Sequence, residues 1–408
     1  MLTAHMDVVP IAESENEWIA PPFSGEIIDG FIYSRGTIDD KNMVMAILEA
    51  VSFALESGFE FERTLYLAFG HDEEVGGFTG AKRIGELLGK RGVELEYLLD
   101  EGTFIIDDVV PKYLLDSPVA ISLKIKKISL LIANNNPICR ISVAEKGIVT
   151  LNLSVTTEGG HSSMPPRENS IVILSQAIER LHNQLQPNLF GSGPERQFVE
   201  HLAPYLPFYA RVIAANLWLF RPLVAYAFGR KPSTDSICRT TTAVTKFKSG
   251  IKDNVVSPKA EACVNHRIHP ADSVKDVLDR DIRIIGDSRI KTTVKVSLDP
   301  SPVSPSDETA FGYHAIAESL NQVFSDIKLI TAPSTMVANT DTRHYWHLTH
   351  NIYRFSPSKM KMADLKRFHG VNERIGVKNY EQTVNFYYHL ILNSNSERLR
   401  IVEPHEEL

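Results

Sequence analysis

The sequence predicts a mixed α/β protein whose main domain has a mostly parallel sheet with helices on both faces, interrupted by an inserted α+β domain. Short apolar runs alternate with helical runs up to "ELEYLLD", and the same style returns after residue 300. From residue 147 the strands become long and alternate apolar with polar residues, which is typical of a sheet with one open face. The expected domains are therefore 1–146 with 300–408, and 147–299.

The first part of the main domain gives clear element signals. "LTAHMDV" predicts a strand, and the Asp-Gly pair in "GEIIDGFIYSRG" predicts a hairpin. A helix is expected from Lys41 to Ser57, because apolar residues recur there every four positions and Gly58 follows. "TLYLAFG" predicts a strand, "GAKRIGELLGKRG" a helix and "ELEYLLD" another strand.

The inserted domain and the C-terminal part continue the pattern. The strands expected here are "KGIVTLNLSVTTEGGHS", "SPKAEACVNHRIHP", "IKTTVKVSLDP" and "IKLITA", and the helices are "NSIVILSQAIERLHNQL", "SVKDVLDRDIRII", "ETAFGYHAIAESLNQVF" and "NYEQTVNFYYHLILNSN". The apolar run 208–230 is interrupted by Arg211, Arg221 and Pro222, whereas a membrane-spanning helix needs about 20 predominantly apolar residues. It predicts a pair of helices that are buried or docked on the surface.

Composition excludes several classes of protein. A chain of 408 residues is too long for one ordinary core, so two domains are expected. A net charge of -7 argues against a nucleic-acid-binding protein, which normally has a basic face. Three scattered cysteines are too few for a disulfide framework or a thiolate zinc site. Any metal must therefore be held by His, Asp and Glu.

Acidic and imidazole side chains follow several predicted strands. They occur in "AHMDVVP", "RGTIDDKN", "HDEEVGG", "LLDEG" and, far down the chain, "RFHGVNE". The carboxyl edge of an open α/β sheet is where ligands bind. Carboxylates crowded together are costly unless a cation neutralises them. Two His and three carboxylates suit zinc, or less selectively manganese or cobalt, as two ions that share one carboxylate.

Taken in order, these motifs, with "GGHSS" and "NHRIHP", resemble the zinc metallopeptidase family that contains aminoacylase and carboxypeptidase S. The resemblance covers nearly the whole chain and is nearest to the N-fatty-acyl-amino acid synthase/hydrolase branch. It implies a dizinc catalytic domain with an inserted lid domain. It also implies that His5, Asp39 and Asp100 hold one zinc ion, and that Asp39, Glu74 and His369 hold the other.

The resemblance implies further roles around the two ions. Asp7 would hydrogen-bond His5, and Glu73 would be the general base that takes a proton from metal-activated water. His161, on the lid domain, would polarise the scissile carbonyl, either within its own chain or across a dimer. Asn254 and Arg267 are candidates for holding the substrate carboxylate, because an Arg can bind a carboxylate in two places.

The implied activity is cleavage, and in reverse formation, of the amide bond of N-acyl amino acids, above all N-fatty-acyl amino acids. The alternatives are a carboxypeptidase or dipeptidase of the same family, or a catalytically inactive binding protein. The expected partner is a small-molecule substrate, with no nucleic acid and no transmembrane segment, and the lid domain allows a homodimer. By family analogy the protein would be secreted or lumenal.

Two departures from the family pattern favour the inactive alternative. Family members have further chain before the first strand, so this chain is expected to be N-terminally truncated. An anomalous Lys/Ile/Asn-rich insertion, residues 124–140, separates "LLDEG" from "VAEKG".

Overall fold

The computed structural model describes residues 1–11, 17–106, 137–327 and 329–395. The strands in chain order are β1 Leu2–His5, β2 Glu26–Ile28, β3 Phe31–Tyr33, β4 Leu67–Gly70, β5 Leu98–Ile106, β6 Ile138–Glu145, β7 Gly147–Thr156, β8 Gly160–His161, β9 Thr241–Ser249, β10 Val255–Val256, β11 Lys259–Ile268, β12 Lys291–Leu298, β13 Ile330–Met336, β14 Ile352–Met360 and β15 Arg374–Gly376. The α-helices are α1 Lys41–Glu56, α2 Ala81–Lys90, α3 Ser170–Asn183, α4 Pro194–Leu202, α5 Phe208–Ala215, α6 Leu217–Phe228, α7 Pro232–Cys238, α8 Val274–Ile285, α9 Phe311–Val323 and α10 Val377–Asn395.

The central sheet has six strands in the order β13-β6-β14-β5-β1-β4. Strands β4, β1, β5 and β14 run parallel to one another, β6 runs against β5 and β14, and β13 is parallel to β6. The mostly parallel α/β class predicted from the sequence is confirmed. Since β1, β4 and β5 point the same way, their carboxyl ends meet at one edge of the sheet.

The core of the main sheet is covered by α1, α9 and α10. The apolar positions of α1 that predicted the helix divide between its faces, with Met43 and Ile47 fully buried and Leu55 exposed. Met43 and Ile47 join the buried side chains of β1, β5, β14 and α10 in one cluster. The predicted hairpin also forms, because Asp29 and Gly30 both have positive φ angles of 50° and 76°, as a type I′ turn requires.

A second sheet has four antiparallel strands in the order β12-β7-β11-β9. Its inner face packs against α3 and α8 in a separate apolar cluster that includes Leu151, Val264 and Val277. Both helices begin with side-chain caps, since Asn169 accepts from the first turn of α3 and Ser273 accepts from the first turn of α8. These strands and helices all lie within the residues expected for the inserted domain, whose exact boundaries stay a prediction.

The apolar run 208–230 forms two helices, as expected. Helices α5 and α6 lie next to each other in the chain, and Pro222 sits inside α6. The inner side of α6 packs on Phe190 and Cys238, whereas large apolar side chains of both helices are exposed on the outer side. Among the residues that the structure describes, no helix has both the length and the apolar character needed to cross a bilayer.

Three long strands differ from the expectation. Strands β6, β9 and β14 were not predicted, and β14 is central although its sequence "IYRFSPSKM" contains charges and a proline. It can be buried because the guanidinium of Arg354 lies 3.1 Å from the carboxylate of Glu145, and both side chains are buried. Of the expected insertion 124–140, residues 124–136 lie outside the described residues, and the structure places the last three, 138–140, at the start of β6.

Candidate metal centre

Two groups of three potential metal ligands lie at the carboxyl edge of the central sheet. In the first group are His5, Asp39 and Glu101, and in the second are Asp39, Glu74 and His369. One donor atom from each residue of a group lies within 4.8 Å of the others, counting only the described part of the chain. Asp39 is common to both groups, so a single carboxylate lies between two potential cation positions.

The shared carboxylate contacts an imidazole on each side. Asp39 Oδ1 lies 2.9 Å from His5 Nε2, and Asp39 Oδ2 lies 3.1 Å from His369 Nε2. His5 Nε2 is also 3.5 Å from Glu101 Oε1, and His369 Nε2 is 3.3 Å from Glu74 Oε2. The carboxylate of Asp39 therefore links the two donor groups.

Asp7 contacts both His5 and the segment that carries Glu73 and Glu74. Its two carboxylate oxygens accept hydrogen bonds from the backbone N–H groups of Glu73 and Glu74, both at 3.1 Å. Its Oδ1 also lies 3.3 Å from His5 Nδ1. The Asp7 side chain therefore fixes the short 3-10 helix Glu73–Val75 that follows β4, and it holds the His5 ring together with the Asp7 backbone carbonyl, which lies 3.1 Å from His5 Nδ1.

The loop that carries Asp39 is held by a buried residue that the sequence did not suggest. Glu373 Oε1 accepts from the backbone N–H groups of Gly36, Ile38 and Asp39 at 3.0, 2.8 and 3.2 Å, and its Oε2 accepts from Arg35 at 2.7 Å. Glu373 comes four residues after His369, in the same "HGVNE" motif. This motif thus supplies one potential ligand and positions another.

The predicted ligand Asp100 lies outside the first donor group, and its neighbour Glu101 lies in it. The resemblance assigned Asp100 to the first ion, but the side chain that lies in the cluster is that of Glu101. Adjacent residues of a strand point to opposite faces, so both side chains of β5 cannot point the same way. Asp100 instead lies buried beside Thr340 and Glu145, and burial raises its pKa to about 6. The alternation of side chains along a strand indicates that only one of Asp100 and Glu101 can face the cluster. It does not indicate which of the two does so.

The electrostatics of the cluster fit a bound cation. Burial, followed by the charge of Asp39, raises the pKa of Glu101 to about 8. Burial opposes a charged His5, yet hydrogen bonds to Asp39 and Asp7 raise its pKa above the ordinary value. Glu74 Oε1 is buried without a hydrogen-bond partner. Imidazole nitrogens and carboxylate oxygens suit zinc, and also manganese or cobalt.

Glu73, the predicted general base, lies beside the cluster and is largely buried. Burial, and then the charge of Glu101, raise its pKa to about 9. Its Oε1 is 3.7 Å from Arg343 Nη2, an Arg that sequence reasoning missed. Asp341, two residues earlier, was also missed, and burial raises the pKa of its partnerless carboxylate to about 7. Both lie in "NTDTRHYW", which no sequence signal singled out.

The three predicted substrate-side residues lie apart from the ligand cluster. Arg267, on β11, donates from Nη1 to Asn339 Oδ1 at 2.9 Å, and its charge acts on Arg343. His161 is exposed on β8, where its Nδ1 lies 2.7 Å from Ser163 Oγ. Asn254 is its neighbour in space, because the carbonyl of Asn254 accepts from the N–H of Ser162. The structure gives neither His161 nor Asn254 a contact with the cluster.

Comparison with known sequences gives one family. The profile of Peptidase family M20/M25/M40 matches residues 1–393. The chain is 47% identical over 399 residues to N-fatty-acyl-amino acid synthase/hydrolase PM20D1.1 of Danio rerio, which covers 98% of this chain and 73% of the relative. It is 43% identical over 406 residues to PM20D1 of Homo sapiens, covering 100% and 76%. It is 42% identical over 400 residues to Probable carboxypeptidase S-like 2 of Dictyostelium discoideum, covering 97% and 71%.

Solved structures share the fold at much lower identity. The M20 family metallo-carboxypeptidase Sso-CP2 of Sulfolobus solfataricus superposes with a TM-score of 0.67 at 18% identity, covering 96% of this chain and 83% of that one. Human carnosine dipeptidase 1 superposes with a TM-score of 0.61 at 15% identity, covering 96% and 78%. At this identity the likeness speaks for the fold.

Proposed function

This chain belongs to Peptidase family M20/M25/M40, and from that membership we propose that it cleaves, and in reverse forms, the amide bond of N-fatty-acyl amino acids. The observation that carries the proposal is the shared carboxylate of Asp39 between two three-residue donor groups, with Glu73 beside them. The names of the relatives that are 43–47% identical support the substrate class. An amide hydrolase needs an activated water, an acid-base group and a grip on the substrate.

The donor groups would hold two divalent cations, with zinc as the best match to their chemistry. The ligands would be His5, Asp39 and Glu101 for one ion, and Asp39, Glu74 and His369 for the other. Bound there, the ions would supply Lewis-acid chemistry, lowering the pKa of water and polarising a carbonyl.

Glu73 would move the proton. Its carboxylate is largely buried, so it is poorly solvated and accepts a proton readily when a water is deprotonated next to it. The same carboxylic acid can then give the proton to the nitrogen that leaves when the amide breaks. Its backbone N–H donates to Asp7, so the group is held in place during both transfers. Arg343 lies near enough to stabilise the carboxylate between them.

Asp7 would set the tautomer of His5. With Asp7 Oδ1 at 3.3 Å from Nδ1, the ring proton is best placed on Nδ1. That leaves the lone pair of Nε2 facing Asp39 and Glu101, the side on which a cation would lie.

Arg267 would hold the carboxylate of the amino-acid part of the substrate. Its guanidinium is held at a fixed position by Asn339, whose Nδ2 donates to the carbonyl of Lys146 at 2.7 Å. We also propose that His161, on β8, and Asn254, directly before the neighbouring strand β10, act on the substrate in the same chain or across a dimer. The homodimer, the domain boundaries and the secreted or lumenal location stay predictions.

The test compares substrates on the zinc-loaded full chain. We expect release of phenylalanine from N-oleoyl-phenylalanine, followed by mass spectrometry, and its near loss in Glu73→Gln, which keeps the shape but cannot hold the proton. Glu26→Gln, an exposed change on β2, is the matched control and should keep full activity. Dipeptides and C-terminal residues of peptides test the carboxypeptidase alternative. Zinc-loaded protein that turns over none of these would support the inactive binding protein instead.

A further inference from the structure

The outer faces of α5 and α6 carry large apolar side chains that are exposed to solvent. Trp218 is 78% exposed and Phe208 is 81% exposed. Along α6, Leu219, Leu223 and Tyr226 follow one another at spacings of four and three residues, so they lie on one stripe of the helix. We call these residues the apolar helical face: Phe208, Tyr209, Val212, Trp218, Leu219, Leu223 and Tyr226.

The apolar helical face is held firmly from behind. Leu217 packs with Phe190 and Cys238 in a small buried cluster under α6. Arg221 Nε donates to the carbonyl of Phe190 at 2.6 Å, and Asn188 Nδ2 donates to the carbonyl of Ala225 at 3.0 Å. Helix α6 is therefore fixed on the protein with its apolar stripe outward, which reverses the usual arrangement of a surface helix.

The segment that carries this face has charged side chains of one sign. Residues 201–234 contain no Asp or Glu, but they contain Arg211, Arg221, Arg230 and Lys231, in a chain whose net charge is -7. Arg230 lies over the ring of Tyr226 at 5.6 Å, at the rim of the face. A local excess of cations beside exposed Trp, Tyr and Leu is the combination that binds anionic lipid surfaces.

We propose that the apolar helical face docks on a lipid layer that contains anionic headgroups. Trp and Tyr would lie at headgroup level, Leu219 and Leu223 would enter the acyl boundary, and Arg230 beside Tyr226 would meet lipid phosphates. A second copy of the chain is a poorer partner. A symmetric contact places the same patch on both subunits, so it would bring the arginines of one copy against those of the other.

A chain of hydrogen bonds links the segment that follows α6 to Arg267. Helix α7 follows α6, and Lys146 Nζ donates to the carbonyls of Ser236 and Arg239, both at 2.8 Å. The carbonyl of Lys146 in turn accepts from Asn339, the partner of Arg267. The docking proposal does not rest on the proposed activity, and it can be tested without any substrate.

The experiment measures binding of the zinc-loaded full chain to vesicles by flotation. We expect binding to phosphatidylcholine vesicles that contain phosphatidylserine, and weak binding to phosphatidylcholine alone. The double variant Trp218→Ser/Leu223→Ser should bind at least about tenfold more weakly. Arg230→Gln should bind the anionic vesicles about fivefold more weakly. The control Leu185→Ser/Ile251→Ser, two exposed apolar residues outside the face, should bind like the original chain.

Two binding results would overturn the proposal: equal binding to both kinds of vesicle, or a double variant that binds as tightly as the original chain. It would also be overturned if the original chain is a dimer in solution and the double variant is a monomer. If thermal unfolding of the double variant is not cooperative, the variant is not folded and cannot be used. The proposal is then tested on the original chain by fluorescence quenching. Brominated lipids should quench its tryptophan fluorescence on anionic vesicles, and absence of quenching contradicts the proposal.

Discussion

Replacing Glu101 and Asp100 one at a time tests which of these neighbours holds a cation. Glu101→Gln keeps the size of the side chain but removes the charged oxygen that lies 3.5 Å from His5 Nε2. Loss of an outer-sphere partner of a metal ligand typically weakens metal binding by about 10–100-fold. Loss of a ligand itself should therefore weaken binding of one ion by at least about 100-fold.

Asp100→Asn is the matched change on the other face of the strand. Asp100 is buried, its pKa is raised to about 6, and its Oδ2 has no hydrogen-bond partner, so a neutral amide removes a costly charge. We expect both zinc ions to stay bound and the free energy of unfolding to change by no more than about 1 kcal/mol.

The assay is zinc content by mass spectrometry after dialysis, together with competition against a chromophoric chelator. We expect about one retained ion in Glu101→Gln and about two in Asp100→Asn. The reasoning from side-chain direction would be refuted if Asp100→Asn lost an ion and Glu101→Gln kept both.

Three further predictions concern buried charges. Glu373→Gln should lower the free energy of unfolding by about 3–5 kcal/mol in urea, because the buried Arg35 loses its partner at 2.7 Å. Asp281→Asn should also destabilise the protein, because its carboxylate lies 2.7 Å from the fully buried His266, and the midpoint of thermal unfolding measures it. Burial lowers the pKa of Lys146 to about 8 from 10.5, so between these values the unfolded chain holds a proton that the folded chain has released. Stability should therefore rise with pH across this window, and Lys146→Met should remove that rise.

Exposed replacements are the controls for these changes. Glu86→Gln removes an exposed partner of Arg83, and such surface pairs contribute little to stability. A Glu373→Gln protein as stable as Glu86→Gln would mean that Arg35 is not left unpaired. An Asp281→Asn melting midpoint equal to that of the original chain would show that His266 does not need the charge. If stability instead fell from pH 8 to 10.5 and Lys146→Met abolished that fall, the pKa of Lys146 would be raised in the folded chain and not lowered.

The sequence predicted the parts of the site that follow from strand ends. His5 ends β1, Glu73 and Glu74 follow β4, and parallel strands bring such positions to one edge whatever the rest of the chain does. The same rule could not choose between Asp100 and Glu101, because the choice depends on which face of β5 meets His5. That is a matter of sheet twist and register, which no local pattern contains.

The unpredicted strands share a physical cause. Strand β14 is central, yet Arg354 and Lys359 break the apolar run that predicts a buried strand. The charge of Arg354 is neutralised by Glu145, on β6, which lies beside it. The two residues are far apart in sequence, so their compensation could not be foreseen from either segment. Glu373 is a similar case, since its four acceptor contacts all lie in the loop around Asp39.

Contacts between residues distant in sequence also link Arg267 to Glu73. Arg267 belongs to β11 of the antiparallel sheet, but Asn339, which fixes its guanidinium, follows β13 of the central sheet. Four residues further on, Arg343 lies 3.7 Å from Glu73. The loop after β13 thus touches both the group that would hold the substrate carboxylate and the group that would move the proton. A shift of the antiparallel sheet against the central sheet would strain the Arg267–Asn339 pair, so under the proposed roles this loop would couple substrate binding to the position of Glu73.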